Sequence, residues 1–188
     1  MPVYNSIFKD ESFSLCCGMP LLKIIDGKIP NIDPSQLKGA NLKDLDFDII
    51  DESLMYFRAN VLFKSFPIKS DADKLLIYIS VLIAKCLEIG HFYQNDNNKA
   101  KNMIKSLIDE GEWSPNLKSH FLNNLLTVET SQVSELQNYL KSVRKETISR
   151  IIYLLYDSET KTMDLKYWLG YAKKKFLGYE FPIAKQLR

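Results

Sequence analysis

Hydrophobic positions recur at helical spacing in several segments of this chain. In the first segment, Ile50, Leu54, Phe57 and Val61 follow one another by four, three and four residues. That spacing places all of them on one helix face, which we expect to be buried. The longest segment is expected to run from residue 131 to residue 156 or 157. Its inward positions, three or four residues apart, are Val133, Leu136, Leu140, Val143, Thr147, Ile151 and Leu154.

Three shorter segments show the same period. A helix is expected from about Asn98, and Gly111 is expected to end it, because glycine readily adopts the left-handed conformation found after helices. Its inward positions are Met103, Ile104, Leu107 and Ile108. Ser114 and Pro115 are typical of a helix start, and the helix that they predict carries Leu117, Phe121, Leu125 and Val128. The last predicted helix, ended by Gly178, carries Leu165, Trp168, Leu169, Ala172 and Phe176.

Residues 75–84 differ from the other segments, because only Ser80 interrupts their apolar sequence. A helix that is apolar on all sides is normally buried on all sides. Ser70 and Asp73 resemble a capping box at its start, with Asp73 in place of the usual Glu or Gln. The segment from Ser70 to about Gly90 is too long for a typical strand. The apolar run is also shorter than the roughly 20 residues that span a bilayer. These residues therefore predict a central helix and no membrane insertion.

Residues 1–45 lack a helical pattern. Glycines and prolines recur along them, at Gly18, Pro20, Gly27, Pro30, Pro34 and Gly39. Such residues are typical of turns and loops, although the apolar residues 21–25 suit an extended segment. A length of 188 residues favours one domain over two. The predicted fold is all-α: a single compact helical domain over residues 1–188, with an irregular or extended N-terminal segment (1–45) and a helical core (46–188) surrounding the apolar central helix.

The net charge argues against nucleic acid as a partner. The chain has 25 basic and 23 acidic residues and a net charge of +2, whereas nucleic-acid-binding domains normally show a dominant basic stripe. Three cysteines form no disulfide framework, which favours a reducing compartment. The N-terminus shows no secretory signal pattern and Pro2 replaces the glycine needed for myristoylation. These features predict a cytoplasmic protein.

Acidic residues cluster before the first helix, at Asp44, Asp46, Asp48, Asp51 and Glu52. A metal site is one interpretation. Helix capping is the favoured one, because acids in the first turn complement the positive end of the helix dipole. The spacing also differs from that of a calcium-binding loop.

The sequence predicts neither an enzyme nor a cofactor. No glycine-rich nucleotide-binding motif is present. A zinc site needs four ligands, and the candidates are dispersed: Cys16, Cys17, Cys86, His91 and His120. Cys86 with a histidine is a possible nucleophilic pair, but a lone thiol in an apolar helix is more typical of a small core residue.

Basic residues concentrate near the C-terminus: Lys173, Lys174, Lys175, Lys185 and Arg188. One interpretation is a solvated face whose lysines complement a helix C-terminus. The other is a binding site for an acidic protein surface, where charge would mainly set the association rate and the orientation. We refer to these five residues as the basic end.

The order of several short motifs resembles a known family, the subunit 3 family of the actin-related protein 2/3 complex. In the middle of the chain they are 48–52 (DIIDE), 56–61 (YFRANV), Phe63-Lys64, Ile68-Lys69, Ala72-Asp73 and 76–80 (LIYIS). Further along they are Tyr139-Leu140, Val143-Arg144, Glu146-Thr147, Tyr156-Asp157, Trp168 and 174–176 (KKF). Met1-Pro2, Tyr4, Ser6, Gly18-Met19, Leu21-Leu22 and Ile24 also resemble the N-terminal strip of that family.

This resemblance implies a non-catalytic subunit that supports nucleation and branching of actin filaments. The implied partners are the other subunits of the complex, mainly actin-related protein 3, and actin filaments through the complex. The implied location is the cytoplasm and cytoskeleton, at the actin-rich cortex and cell projections. Residues 98–128 and 26–45 depart from the family pattern, so no contact is transferred to them. The alternatives are a free-standing helical adaptor and a small enzyme using Cys86 or the acids at 44–52.

Overall fold

The structure is a computed structural model, and it describes residues 3–10, 13–30, 32–37, 46–109, 125–127, 129–156, 168, 170–174 and 176–178. Four α-helices lie in these residues: α1 (Ile49–Asn60), α2 (Asp71–Phe92), α3 (Asn97–Ser106) and α4 (Val133–Tyr156). Short 3-10 turns cover Ile7–Asp10, Pro34–Leu37 and Phe176–Gly178. The described part is therefore helix-rich, as predicted, and it also contains one small sheet.

Helix α2 is the centre of the structure. Every residue from 75 to 84 is buried, and α2 contacts α1, α3 and α4. The prediction of a central apolar helix is confirmed. An 18-residue window of α2 is long and apolar enough to cross a membrane, with a mean hydropathy of 1.7, but 83% of that window is buried inside the protein. Its apolar character is thus accounted for by the neighbouring helices.

At the start of α2, Asp73 makes the backbone hydrogen bond predicted for the acidic residue of a capping box. The Asp73 carboxylate accepts hydrogen bonds from the backbone N–H groups of Lys69 at 2.7 Å and Ser70 at 3.1 Å. Both groups precede the helix and have no helical partner of their own. Asp73 therefore fixes the chain as it enters α2.

The predicted stripes of α1 and α4 are confirmed, because all of their inward positions are buried. In α3, Ile104 and Leu107 are buried as predicted, while Met103 and Ile108 are only partly buried. Helix α3 ends at Ser106, and the predicted stop at Gly111 lies outside the described residues.

Two helix predictions need correction. The helix predicted after Pro115 lies mostly outside the described residues, but residues 125–127, which it should include, are not helical. The last predicted helix is not continuous either. Trp168 is helical, residues 170–173 form turns, and Leu177 has a positive φ of 53°. Trp168, Ala172 and Phe176 are nevertheless buried, so their apolar spacing correctly indicated burial but not the backbone.

The N-terminal segment contains a β-hairpin that was not predicted from the sequence. Strands β1 (Leu15–Cys16) and β2 (Met19–Pro20) pair antiparallel, with Cys16 opposite Met19. The turn residues Cys17 and Gly18 have φ values of 50° and 74°, as the favoured two-residue turns require. Strands of two residues are too short to show an alternating pattern.

Candidate functional site

Two acids of the predicted cluster, Asp48 and Asp51, form a buried ionic network, and Asp48 also caps α1. Asp44 lies outside the described residues. Asp48 Oδ1 accepts hydrogen bonds from the N–H groups of Ile50 at 3.0 Å and Asp51 at 3.1 Å. The capping prediction is confirmed. Among the residues described by the structure, no group of three or more histidine, cysteine, aspartate or glutamate side chains is placed to hold a metal ion.

Arg150 of α4 lies at the centre of this network with its side chain fully buried. Its Nε donates to Glu146 at 2.9 Å, and its Nη1 donates to Asp48 at 2.6 Å and Asp51 at 2.9 Å. Its Nη2 donates to Asp48 at 2.8 Å and to the Ile25 carbonyl at 2.7 Å. A guanidinium has five N–H donors, so all of them are used.

The network also holds residues 25–28 against the helices. Glu146 accepts the backbone N–H groups of Gly27 at 3.1 Å and Lys28 at 3.3 Å. The Lys28 ammonium lies 2.7 Å from Asp51. A segment that the sequence shows as irregular is therefore fixed by buried charges of α1 and α4.

A second set of buried polar side chains holds the N-terminal strip, which we define as residues 4–8. Asn60 at the end of α1 accepts from the Tyr4 N–H at 3.0 Å and donates to the Tyr4 carbonyl at 2.9 Å. Asp73 accepts from the Ser6 N–H at 2.7 Å. Glu52 accepts from the Ser6 hydroxyl at 2.7 Å and from the Ile7 N–H at 2.6 Å. The strip therefore lies across the ends of α1 and α2 in a fixed register.

Burial changes the ionisation of Glu52. Removal from water raises its pKa to about 8, although the hydrogen bonds from Ile7 and Ser6 favour the charged form. In the window between its ordinary pKa of 4.5 and about 8, the folded chain keeps a proton that the unfolded chain releases. The stability contributed by this group is therefore complete below the ordinary pKa and is lost as the pH rises towards 8.

Glu52→Gln is expected to flatten the dependence of stability on pH. Glutamine keeps one acceptor and one donor in the places of a protonated carboxyl group, and it does not titrate. In wild type, Glu52 alone lowers the free energy of unfolding by about 1.4 kcal/mol per pH unit across this window. Urea unfolding at about pH 5, 6.5 and 8, followed by circular dichroism, should show the variant gaining on wild type as the pH rises.

Glu135→Gln is the matched control, because Glu135 is an exposed glutamate on α4. It should keep the wild-type pH dependence. A constant difference between Glu52→Gln and wild type at all three pH values would contradict the raised pKa.

The structure describes the three cysteines and one of the two histidines. Cys16, Cys17 and Cys86 are buried and take no part in a disulfide bond. Cys16 and Cys17 contact backbone carbonyls of Gln132 and Glu129, and burial raises the pKa of Cys16. Cys86 lies on α2 and is buried in the core of the protein. His91 lies in the last turn of α2. His120 lies outside the described residues.

The basic end is only partly described by the structure. Lys173 and Lys174 are exposed, and Lys175, Lys185 and Arg188 lie outside the described residues. The segment around these lysines packs on α1 and on the loop between α1 and α2. Trp168 stacks on Phe57 with ring centroids 6.3 Å apart, and the Phe176 ring lies 6.4 Å from Phe66. Arg58 donates to the Tyr171 hydroxyl at 3.3 Å.

A second exposed surface, which the sequence pattern did not predict, is formed by the connecting loop at residues 61–70. Leu62 and Ile68 are 49% and 45% exposed there, and Tyr4, which is bound to Asn60 at the end of α1, is 42% exposed. A possible signal was present in the sequence: residues 61–70 include two lysines and no acidic residue.

Both buried polar networks fix chain segments in place, which is a structural role. Comparison with known proteins assigns the family. Residues 1–181 match the family model described as P21-Arc: ARP2/3 complex ARPC3 (21 kDa) subunit. The chain belongs to this family.

Several relatives match over nearly their whole length. Actin-related protein 2/3 complex subunit 3 of Arabidopsis thaliana is 34% identical over 179 residues, covering 93% of this chain and 97% of the relative. The protein of the same name from Dictyostelium discoideum is 33% identical over 181 residues, with coverages of 93% and 97%. That of Saccharomyces cerevisiae is 33% identical over 182 residues, with coverages of 94% and 98%. The predicted family is confirmed.

Proposed function

We propose that this chain is a non-catalytic structural subunit of the actin-related protein 2/3 complex and supports nucleation and branching of actin filaments. The observation that carries the proposal is the family match over residues 1–181. The relatives named as subunit 3 of the complex support it, because they align over nearly the full length of both chains. A subunit of this kind acts through buried interface area and through the positions in which it holds its partners.

We further propose actin-related protein 3 as the main partner and the cytoplasmic actin cytoskeleton, at the cortex and in cell projections, as the location. The described side chains support a non-catalytic role, because the buried carboxylates of Glu52, Asp48 and Asp51 bind backbone or side-chain donors of the same chain. The basic end is proposed to contact an acidic surface of the partner, and the exposure of Lys173 and Lys174 supports that proposal.

Complexes reconstituted without this chain are expected to retain the actin-related proteins but to form few branches, because the remaining subunits keep their other interfaces. Complexes with Lys173→Ala, Lys174→Ala and Lys175→Ala combined should still assemble and branch. Their subunit should associate more slowly, by about tenfold at low salt, because exposed charges mainly steer association. Pyrene-actin polymerisation and branch counting by microscopy measure both effects.

Complexes reconstituted with the wild-type chain are the reference for this experiment. Equal branch densities with the wild-type chain, with the triple variant and with no added chain would contradict the proposed function. Loss of assembly in the triple variant would instead show that the basic end lies at the centre of an interface rather than at its rim.

A further inference from the structure

The connecting loop at residues 61–70 displays apolar and basic side chains together. Leu62 and Ile68 are 49% and 45% exposed, and Lys64 and Lys69 are exposed beside them in sequence. Six large hydrophobic side chains are exposed in the described part of the chain, and three of them are Tyr4, Leu62 and Ile68. Because residues 61–70 contain no acidic side chain, the charge of this loop is entirely positive.

Polar side chains of the N-terminal strip and of α2 hold this loop. The Asn5 side chain donates to the Pro67 carbonyl at 2.8 Å and to Asp73 at 2.9 Å. Asp73 also accepts a hydrogen bond from the Lys69 N–H at 2.7 Å. The backbone is therefore held on both sides of Ile68. At the other end of the loop, Asn60 holds Tyr4 through two hydrogen bonds. A loop already fixed in one conformation loses little entropy when a partner binds.

The loop surface adjoins the segment that carries the described lysines of the basic end. Phe66 of the loop packs against Phe176 at 6.4 Å between ring centroids. Arg58, on the last turn of α1, contacts Tyr171. Lys173 and Lys174 therefore come soon after a residue, Tyr171, that packs on the end of α1 where the connecting loop begins.

We propose that Leu62 and Ile68 form the apolar centre of an interface with another protein subunit, and that Lys64 and Lys69 form its basic rim. This inference rests on the proposed function. Protein interfaces typically combine an apolar centre with a polar rim, and complementary charge sets orientation and association rate. The surface of the partner is therefore an apolar depression bordered by carboxylates. The basic end extends this rim through Lys173 and Lys174.

Ile68→Asp, alone and combined with Leu62→Asp, tests the proposed centre. The variants are mixed with the actin-related protein 2/3 complex lacking this subunit, and binding is measured by biolayer interferometry. We expect at least about tenfold weaker binding for Ile68→Asp, because a carboxylate in the desolvated centre of an interface is strongly unfavourable. The combined variant should bind more weakly still. Lys64→Glu with Lys69→Glu should slow association and remove the slowing by salt that the wild-type chain shows, because salt screens the attraction that these lysines provide.

Ile29→Asp is the matched control, because Ile29 is 65% exposed and lies in the separate segment that Arg150 and Glu146 hold. It should bind like wild type. Thermal unfolding of the free chains should show Ile68→Asp within a few degrees of wild type. If Leu62→Asp lowers folding stability, Ile68→Asp alone decides the result.

The outcomes separate this inference from the proposed function. A wild-type chain that does not bind the incomplete complex overturns the proposed function. A wild-type chain that binds, together with an Ile68→Asp chain that binds equally well, overturns only the interface assigned here. A wild-type chain that dimerises in sedimentation, and loses the dimer with Ile68→Asp, shows that a second copy occupies the surface and also overturns the assignment.

Discussion

Arg150→Met is expected to unfold the chain or to leave it barely stable. Methionine approximates the length of the arginine stem, but it leaves Asp48 and Glu146 without their cation, while Asp51 keeps only Lys28. Removing one partner from a buried ion pair typically costs about 3–5 kcal/mol, because the remaining charges stay buried without compensation. That is a large share of the roughly 5–15 kcal/mol by which domains are stable. Urea unfolding followed by circular dichroism measures the loss.

Lys145→Met is the control for this experiment. It removes a positive charge from the same helix, but Lys145 is exposed, so the free energy of unfolding should change by less than about 0.5 kcal/mol. An Arg150→Met variant as stable as the control would show that the three carboxylates do not depend on Arg150. Residues 25–28 should also become accessible to proteases in Arg150→Met, since the Ile25 carbonyl loses its donor.

The parts of the fold that the sequence predicted correctly depend on local spacing. The stripe through Ile50, Leu54 and Phe57 defines the buried face of α1 without knowledge of any partner. The same is true of the long stripe of α4. In the C-terminal segment, the spacing of Trp168, Ala172 and Phe176 indicated burial correctly. It could not reveal the break between them, because turns at residues 170–173 depend on packing against α1 and the connecting loop.

The two buried networks depend on contacts between distant parts of the chain. Arg150 bonds to Asp48 across 102 positions of sequence, and Asp73 bonds to Ser6 across 67. The local signal of an acid-rich helix start was interpreted as capping, which is correct but incomplete. A further clue was present in α4, because Arg150 follows Glu146 by four residues and Thr147 by three. It therefore lies beside the buried stripe, where a charged residue needs a buried partner.

The proposed interface, formed by the connecting loop and the basic end, was predicted only in part. The exposure of the loop also depends on contacts between distant parts of the chain. The run of lysines near the C-terminus is visible in the sequence. Leucine and isoleucine, in contrast, are usually core residues, so the sequence gives no sign that Leu62 and Ile68 are exposed. Their exposure follows from the hydrogen bonds that Asn5, Asn60 and Asp73 make around the connecting loop. Fixing the loop in this way leaves its apolar side chains outside the core, and no local pattern reports that arrangement.

Ile79→Asp is expected to prevent folding altogether. Ile79 is fully buried in the middle of α2, between Tyr78 and Ser80, which are buried as well. An ionised carboxylate in that position has no positive partner within its own turn of the helix, and burial of such a charge is strongly unfavourable. Even as the neutral acid, it leaves a polar group in an apolar site. We expect a loss of about 5 kcal/mol or more in the free energy of unfolding, which should abolish the cooperative thermal transition seen by circular dichroism.

Two control variants separate the buried charge from other effects of the Ile79→Asp change. Ile79→Val removes one methylene group from the same site and should cost about 0.5–1.5 kcal/mol while keeping the transition. Ile29→Asp makes the same chemical change at an isoleucine that is 65% exposed, and it should alter stability by less than about 0.5 kcal/mol. If Ile79→Asp instead melts within a few degrees of wild type, α2 is not the central helix of the core. In that case the surrounding helices must draw their stability from contacts other than those with α2.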